Sequence, residues 1–209
     1  MDSYLTLADF SQEEIVIKKS RFIGYARPVT SDKEACEFIN EIKAMHRTAR
    51  HNVYAYVLRD ENYRRYSDDG EPQGTAGMPV LDVLVKGGLT DSAVVVTRYF
   101  GGILLGTGGL VHAYSTAAKL AVESAGIIER ALCSELTVEA DYSFYGRLSS
   151  LISEFGGEVG ESEFTDNVKL HFFIPAEKEA QFNAQLIDAS FGKFESKKIG
   201  SRFFTVNKL

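Results

Sequence analysis

The sequence predicts an α+β protein of two domains, residues 1–130 and 131–209. Two observations carry that expectation. Apolar spacing switches repeatedly between a period of two and a period near 3.6, so strands and helices are interspersed along the chain. Beyond Glu129 the elements run β-α-β-β-α-β within about 70 residues, the split β-α-β, ferredoxin-like order. A chain of 209 residues is long enough for two small domains. No Pro- or Ser-rich linker separates the halves, so the connection near residues 130–133 is read as short and stiff.

The elements follow in order. Residues of about 13–30 read as two strands, with Lys18, Lys19, Ser20 and Arg21 between or beside them. Ser31 and Glu34 form a capping box. It opens a helix whose Ala35, Phe38, Ile39, Ile42 and Met45 make a core stripe. Val53, Ala55 and Val57 alternate as a strand. Asp68-Asp69-Gly70-Glu71 is a turn by its chemistry, short acceptors followed by glycine. Gly74, Thr75, Ala76 and Gly77 lead into a helix with Pro79 in its first turn and Gly87-Gly88 at its end. Ala93 to Val96 is an apolar run expected to be buried on both faces of a sheet.

The chain is organised around what comes next. Arg98, Tyr99 and Phe100 enter a loop with Gly101, Gly102, Gly106, Gly108 and Gly109. A helix follows, its apolar face drawn from Leu110, Ala113, Tyr114, Ala117, Leu120 and Ala121, with Thr107 the expected N-cap and Gly126 the expected stop. Glycine in such density costs backbone entropy. Two readings stand: backbone amides approaching an anion at the helix start, or close packing through left-handed turns. The spacing matches neither G-x-G-x-x-G nor a P-loop. The cation at Arg98 reinforces the anion reading. If this entrance and the one at residues 74–77 converge, they form one concave, donor-rich surface.

In the second half Leu136, Val138 and Ala140 alternate, and Phe144, Leu148, Leu151, Ile152 and Phe155 have helical spacing broken by Gly156-Gly157. Val168, Leu170, Phe172 and Ile174 alternate cleanly, Pro175 precedes a second helix, and the chain ends in a strand. Lys193, Lys197, Lys198 and Arg202 set against Glu158, Glu161 and Glu163 suggest charge pairing across strands at a sheet edge. No RNP-like aromatic signature marks an RNA-recognition motif.

Composition excludes several classes. Hydrophobic residues make up 44% and charged residues 25%, an ordinary globular balance. No apolar run is long enough to span a bilayer, and the first residues carry no basic n-region, so the expected location is the cytoplasm with no membrane partner. The net charge is −6, with 15 basic against 17 acidic residues up to Arg130 and 8 against 12 beyond it. Nucleic-acid contact must then use a local patch. Cys36 and Cys133 lack metal-like spacing and are read as reduced packing residues. His46 and His51 show no zinc spacing.

SDDGEPQGTAGMP (residues 67–79) and RYFGGILLGTGGLVHAYS (residues 98–115), with Ser20-Arg21-Phe22 and Ala49-x-His51-Asn52, resemble the IMPACT family in its bacterial YigZ branch. The resemblance covers nearly the whole chain. It implies a first domain with the fold of ribosomal protein S5 domain 2, its sheet covered by helices on one face. It implies a ferredoxin-like second domain similar to the C-terminal domains of elongation factor G. Eukaryotic members regulate translation by competing for an activator of the kinase that phosphorylates initiation factor 2. That partner belongs to relatives with a further N-terminal domain and is not carried over. What the resemblance implies here is a translation-associated protein that meets RNA, the ribosome or a translation factor.

Three readings follow. As a binding module, Arg98, Tyr99, Gly101, Gly102, Gly106, Thr107, Gly108 and Gly109, with Gly74, Thr75, Lys18, Arg21, Arg64 and Arg65, hold phosphates, while Tyr63, Tyr66 and Tyr99 offer stacking surfaces. As an enzyme on a phosphorylated small molecule or nucleotide, Gly106 to Gly109 cradle phosphate. Asp68, Asp69 and Glu71 then serve as base or as Mg²⁺ ligands, with His51 a further catalytic candidate. No nucleophile–base pair is recognisable, so the binding module ranks above the enzyme, and no obligatory cofactor is expected. A protein–protein scaffold without chemistry of its own ranks between them.

Overall fold

A run of apolar residues with no polar interruption forms the central strand of the first sheet. The computed structural model describes residues 3–60 and 63–208. By contacts they form two compact units, Leu5–Ile128 and a unit of residues 3–4 with Glu129–Asn207. Residues 3 and 4 thus group with the second unit, although the sequence reading assigned them to the first.

In the first unit, β2 (Ser11–Ile17), β3 (Ser20–Pro28), β6 (Ser92–Tyr99), β4 (His51–Val57) and β5 (Arg64–Ser67) form an antiparallel sheet in the order β2-β3-β6-β4-β5. The short β1 (Ser3–Leu7) precedes them. Central β6 is buried on both faces, as its Ala93–Val96 run requires. Alternation then sorts the core. Ile23, Tyr25, Tyr56, Ala93 and Val95 pack with α1 (Asp32–Met45). Phe22, Ala26, Val53, Ala55, Val94 and Val96 pack with α2 (Gly77–Lys86) and α3 (Gly106–Ala125). Helices therefore cover both faces of this sheet. The one-sided cover implied by the family resemblance does not hold, because β3, β4 and β6 carry apolar residues in both phases.

The capping box forms with a variation. Ser31 accepts from the Glu34 amide, while the Glu34 carboxylate reaches back to the Thr30 amide at 2.7 Å. Gly126 ends α3 with φ at +72°, as expected. Thr107 does not cap α3. The helix starts at Gly106, its N-cap residue is Leu105, and no side chain accepts from its first amides.

In the second unit, α4 (Tyr142–Glu154) and α5 (Glu179–Ala189) alternate with β7 (Ile127–Ala140), β8 (Glu158–Phe164), β9 (Val168–Pro175) and β10 (Lys197–Lys208). The sheet runs β8-β9-β7, with β10 and β1 both pairing with β7. This is the split β-α-β connection that the periodicity predicts. Leu136, Val138, Leu170, Phe172 and Ile174 meet Leu148, Leu151, Ile152, Phe182 and Leu186 in one core. Asp141 caps α4 through the Phe144 amide, and its hydrogen bond from Lys193 holds the carboxyl at about 2, well below the usual range.

The expected pairing of the basic last strand with Glu158, Glu161 and Glu163 does not form. β10 lies beside β7, not β8, so Lys198 pairs with Glu179 and Lys193 with Asp141. Cys36 and Cys133 are free thiols. Among the described residues no helix is long and apolar enough to cross a membrane.

Candidate anion-binding cleft

Sheet register assembles the candidate site. Arg98 on β6 stands opposite Phe22 on β3 and His51 on β4, so three neighbouring strands present these residues to the α2–α3 face. Tyr99, one residue on, turns to the other face and bonds His46 Nδ1 at 2.8 Å. The acidic turn then brings Glu71 over the end of β6. Arg98 Nη1 donates to Glu71 Oε1 at 2.5 Å, and Tyr114 Oη on α3 donates to the same oxygen at 2.8 Å. Burial and the adjacent carboxylate push the Tyr114 phenol far above its ordinary value, so it stays a donor. His51 Nδ1 donates to the Asp69 carbonyl at 2.8 Å. Because a carbonyl only accepts, this fixes the proton on Nδ1 in the neutral ring.

These groups floor a cavity of about 460 Å³ lined by Arg50, His51, Glu71, Arg98, Phe100, Leu104, Leu105, Gly106 and Thr107, among others. Its volume is in the range of small-molecule sites, about 300–1,000 Å³. The uncapped start of α3 opens on it, with unpaired amides and the positive end of the helix dipole. Arg50, exposed and set beside the Phe100 ring, supplies a cation at the mouth. The rim is apolar, with Leu104 82% exposed.

The acidic turn and the Gly106–Thr107 start therefore share one cleft, as the convergent reading requires of this entrance. The other entrance is already filled. The Asp68 carboxylate accepts from the amides of Gly74 at 2.9 Å, Ala76 at 3.1 Å and Gly77 at 2.8 Å. The anion at the start of α2 is thus the protein's own side chain, and Gly74 and Thr75 hold no guest there; Thr75 Oγ1 donates to the Pro72 carbonyl. Replacing Asp68 with Ala leaves three amides without their acceptor. We expect a loss of about 1–2 kcal/mol by urea unfolding; a loss under about 0.5 kcal/mol would show that water replaces the cap at little cost.

Other expected residues also lie elsewhere. Arg98 is corrected from phosphate ligand to floor residue: its side chain is 6% exposed and its charge is matched by Glu71. Lys18 and Lys19 form the two-residue β2–β3 turn with φ of 45° and 65°, and Arg21 pairs with Glu14. Arg64 and Arg65 sit on edge strand β5, where Arg65 bonds Tyr63 Oη. Lys18, Lys19, Arg21, Arg64 and Arg65 do not line the cleft. Gly101 serves packing, since a Cβ there would fall 2.0 Å from the Lys19 carbonyl, and Gly102 supplies a left-handed turn. Gly108 and Gly109 lie within the first turns of α3 and do not line the cavity.

The three carboxylates proposed for Mg²⁺ also diverge. Asp68 caps α2, Asp69 takes the Asn52 amide and Lys43, and Glu71 takes Arg98 and Tyr114. Among the described residues no group of three or more His, Cys, Asp or Glu is placed to hold a metal ion. Arg50 and the apolar rim of Phe100 and Leu104 escaped the sequence reading. The signal for Arg50 was its place beside His51, directly before a strand.

The chain matches the Impact N-terminal domain over residues 18–122 and a domain of unknown function, DUF1949, over residues 138–193. It is 38% identical over 199 residues to the IMPACT family member YvyE of Bacillus subtilis (strain 168), covering 95% of this chain and 92% of that protein. It is 37% identical over 182 residues to the IMPACT family member YigZ of Escherichia coli (strain K12), covering 86% and 89%. A crystal structure described only as that of an hypothetical protein is similar at 35% identity with a TM-score of 0.62, over 96% of this chain and 98% of that one. On this breadth of similarity, the chain belongs to the IMPACT family.

Proposed function

We propose that this protein is a cytoplasmic binding module associated with translation, which holds a phosphate group of RNA in the cleft at the start of α3. One observation carries the reading: the uncapped, glycine-opened start of α3 and the Arg50 guanidinium border the same cavity. Two independent sources of positive potential then act on one anion. Arg98 adds no net charge, because Glu71 matches it. The family membership supports the association with translation. The ribosome or a translation factor is the setting in which such RNA is met. A free phosphorylated small molecule is the second reading, favoured by a volume of about 460 Å³, within the range of small-molecule sites.

The test is binding of single-stranded RNA across a salt series. Affinity falls as salt rises, by about 0.7 in log–log slope for each phosphate neutralised. Arg50 is exposed, so Arg50→Ala leaves the fold intact. The variant is expected to bind more weakly and to lose about 0.7 of the slope. An unchanged slope removes Arg50 from the site, and RNA binding that is absent or indifferent to salt removes the proposal.

A further inference from the structure

The floor of the cleft holds two hydrogen-bond acceptors that the protein does not use. Every hydrogen bond to the Glu71 side chain falls on Oε1, from Arg98 and Tyr114. Among the described residues Oε2 receives none, although the side chain is 4% exposed. His51 is similar. Its side chain is 10% exposed, and Nδ1 is committed to the Asp69 carbonyl. Nε2 has no hydrogen bond among the described residues and lies 3.7 Å from Glu71 Oε1. Both side chains line the cavity. Facing the cavity, these acceptors are left to water or to a ligand's donor, and a phosphate anion alone supplies no such donor. Phosphate at the α3 start therefore explains one wall of the cleft and leaves its floor unexplained.

The complementary ligand carries three features in sequence: an anion, hydroxyl donors next to it, and an apolar or planar body. The third wall sets the last requirement, being formed by Phe100, Leu104 and Leu105, with Arg50 near the Phe100 ring. A planar ring can lie against the apolar wall of Phe100 and Leu104. We infer that the cleft binds one ribonucleoside 5′-monophosphate unit, free or at an RNA end. Its phosphate meets Arg50 and the amides of Gly106 and Thr107, its ribose 2′-hydroxyl donates to Glu71 Oε2 or His51 Nε2, and its base lies against Phe100. The inference rests on the phosphate reading above and adds the sugar. The 2′-hydroxyl is the group by which a protein separates RNA from DNA.

Calorimetric titration of the whole chain tests it with five probes: adenosine 5′-monophosphate, its 2′-deoxy counterpart, inorganic phosphate, and 5′-phosphorylated tetra-adenylate in ribo and deoxy forms. The ribonucleotide is expected to bind about tenfold more tightly than the deoxynucleotide. His51→Ala is expected to narrow that ratio. A tetramer that binds well above the monophosphate identifies a chain end as the ligand, and equal affinities identify the free nucleotide. Equal binding of ribo and deoxy forms, or binding of inorganic phosphate alone, overturns the sugar and leaves the phosphate site standing. Silence with all five probes overturns both.

Discussion

Arg98→Met and Glu71→Gln are each expected to destabilise the first unit by about 3–5 kcal/mol, because each leaves a buried partner without its match. The two side chains are 6% and 4% exposed and stand 2.5 Å apart. Removing the carboxylate charge strands a guanidinium whose Nε already lacks a partner. Removing the guanidinium leaves Glu71 with Tyr114 as its one remaining strong donor. A typical domain has only about 5–15 kcal/mol in hand, so either variant approaches unfolding. The double variant Arg98→Met/Glu71→Met is expected to cost well under the sum of the two, since no charge is then left buried. Urea unfolding, followed by hydrogen exchange at the amides of Val94, Val95 and Val96, reports on this unit directly. If the single variants each lose less than about 1 kcal/mol, water reaches the pair and the floor of the cleft is wetter than its burial implies.

That pair marks where sequence reading stopped. Arg98 was visible as a cation ahead of a helix start, but its partner lies 27 residues upstream in a turn. Which of Arg98 and Tyr99 faces the cleft depends on the phase of β6, and the apolar run before them is buried in both phases, so it gives no phase. The α2 entrance was misread for a related reason. Asp68 reaches forward six to nine residues to cap it, a loop contact without any periodic signal. Local chemistry was legible where the partner is adjacent: Ser31 caps α1 and Gly126 ends α3. Thr107 shows the limit even there. A start shifted to Gly106 puts its hydroxyl inside the first turn, where it cannot cap. Of the many arginines, only strand position singles out Arg50 for the mouth of the cleft, and register is a property of the folded sheet.

Gly24→Ala is expected to be among the most damaging single-methyl changes in the first unit. Gly24 sits within β3, and a Cβ there would lie 2.4 Å from the Ala117 carbonyl oxygen and 3.1 Å from Ala121 Cβ, both on α3. Gly101 is as tight: a Cβ there would lie 2.0 Å from the Lys19 carbonyl and 2.4 Å from the backbone nitrogen of Ser20, which is fully buried at the start of β3. Neither neighbour gives way easily, because both clashes are with backbone, at the start of β3 in one case and in the other on α3, a 20-residue helix packed on β2, β3 and α2. Overpacking of this kind costs about 1–3 kcal/mol and sometimes more, and we expect both Gly24→Ala and Gly101→Ala at or above the top of that range. The two variants also separate stability from the site. Relief of the Gly24 clash moves α3 away from the sheet, carrying Tyr114 away from Glu71 and Gly106 away from Arg50. RNA affinity should then fall with stability in Gly24→Ala. Should Gly24→Ala fold as well as the parent chain and bind RNA equally, α3 is free to slide, and a cleft built on its fixed start loses its physical basis.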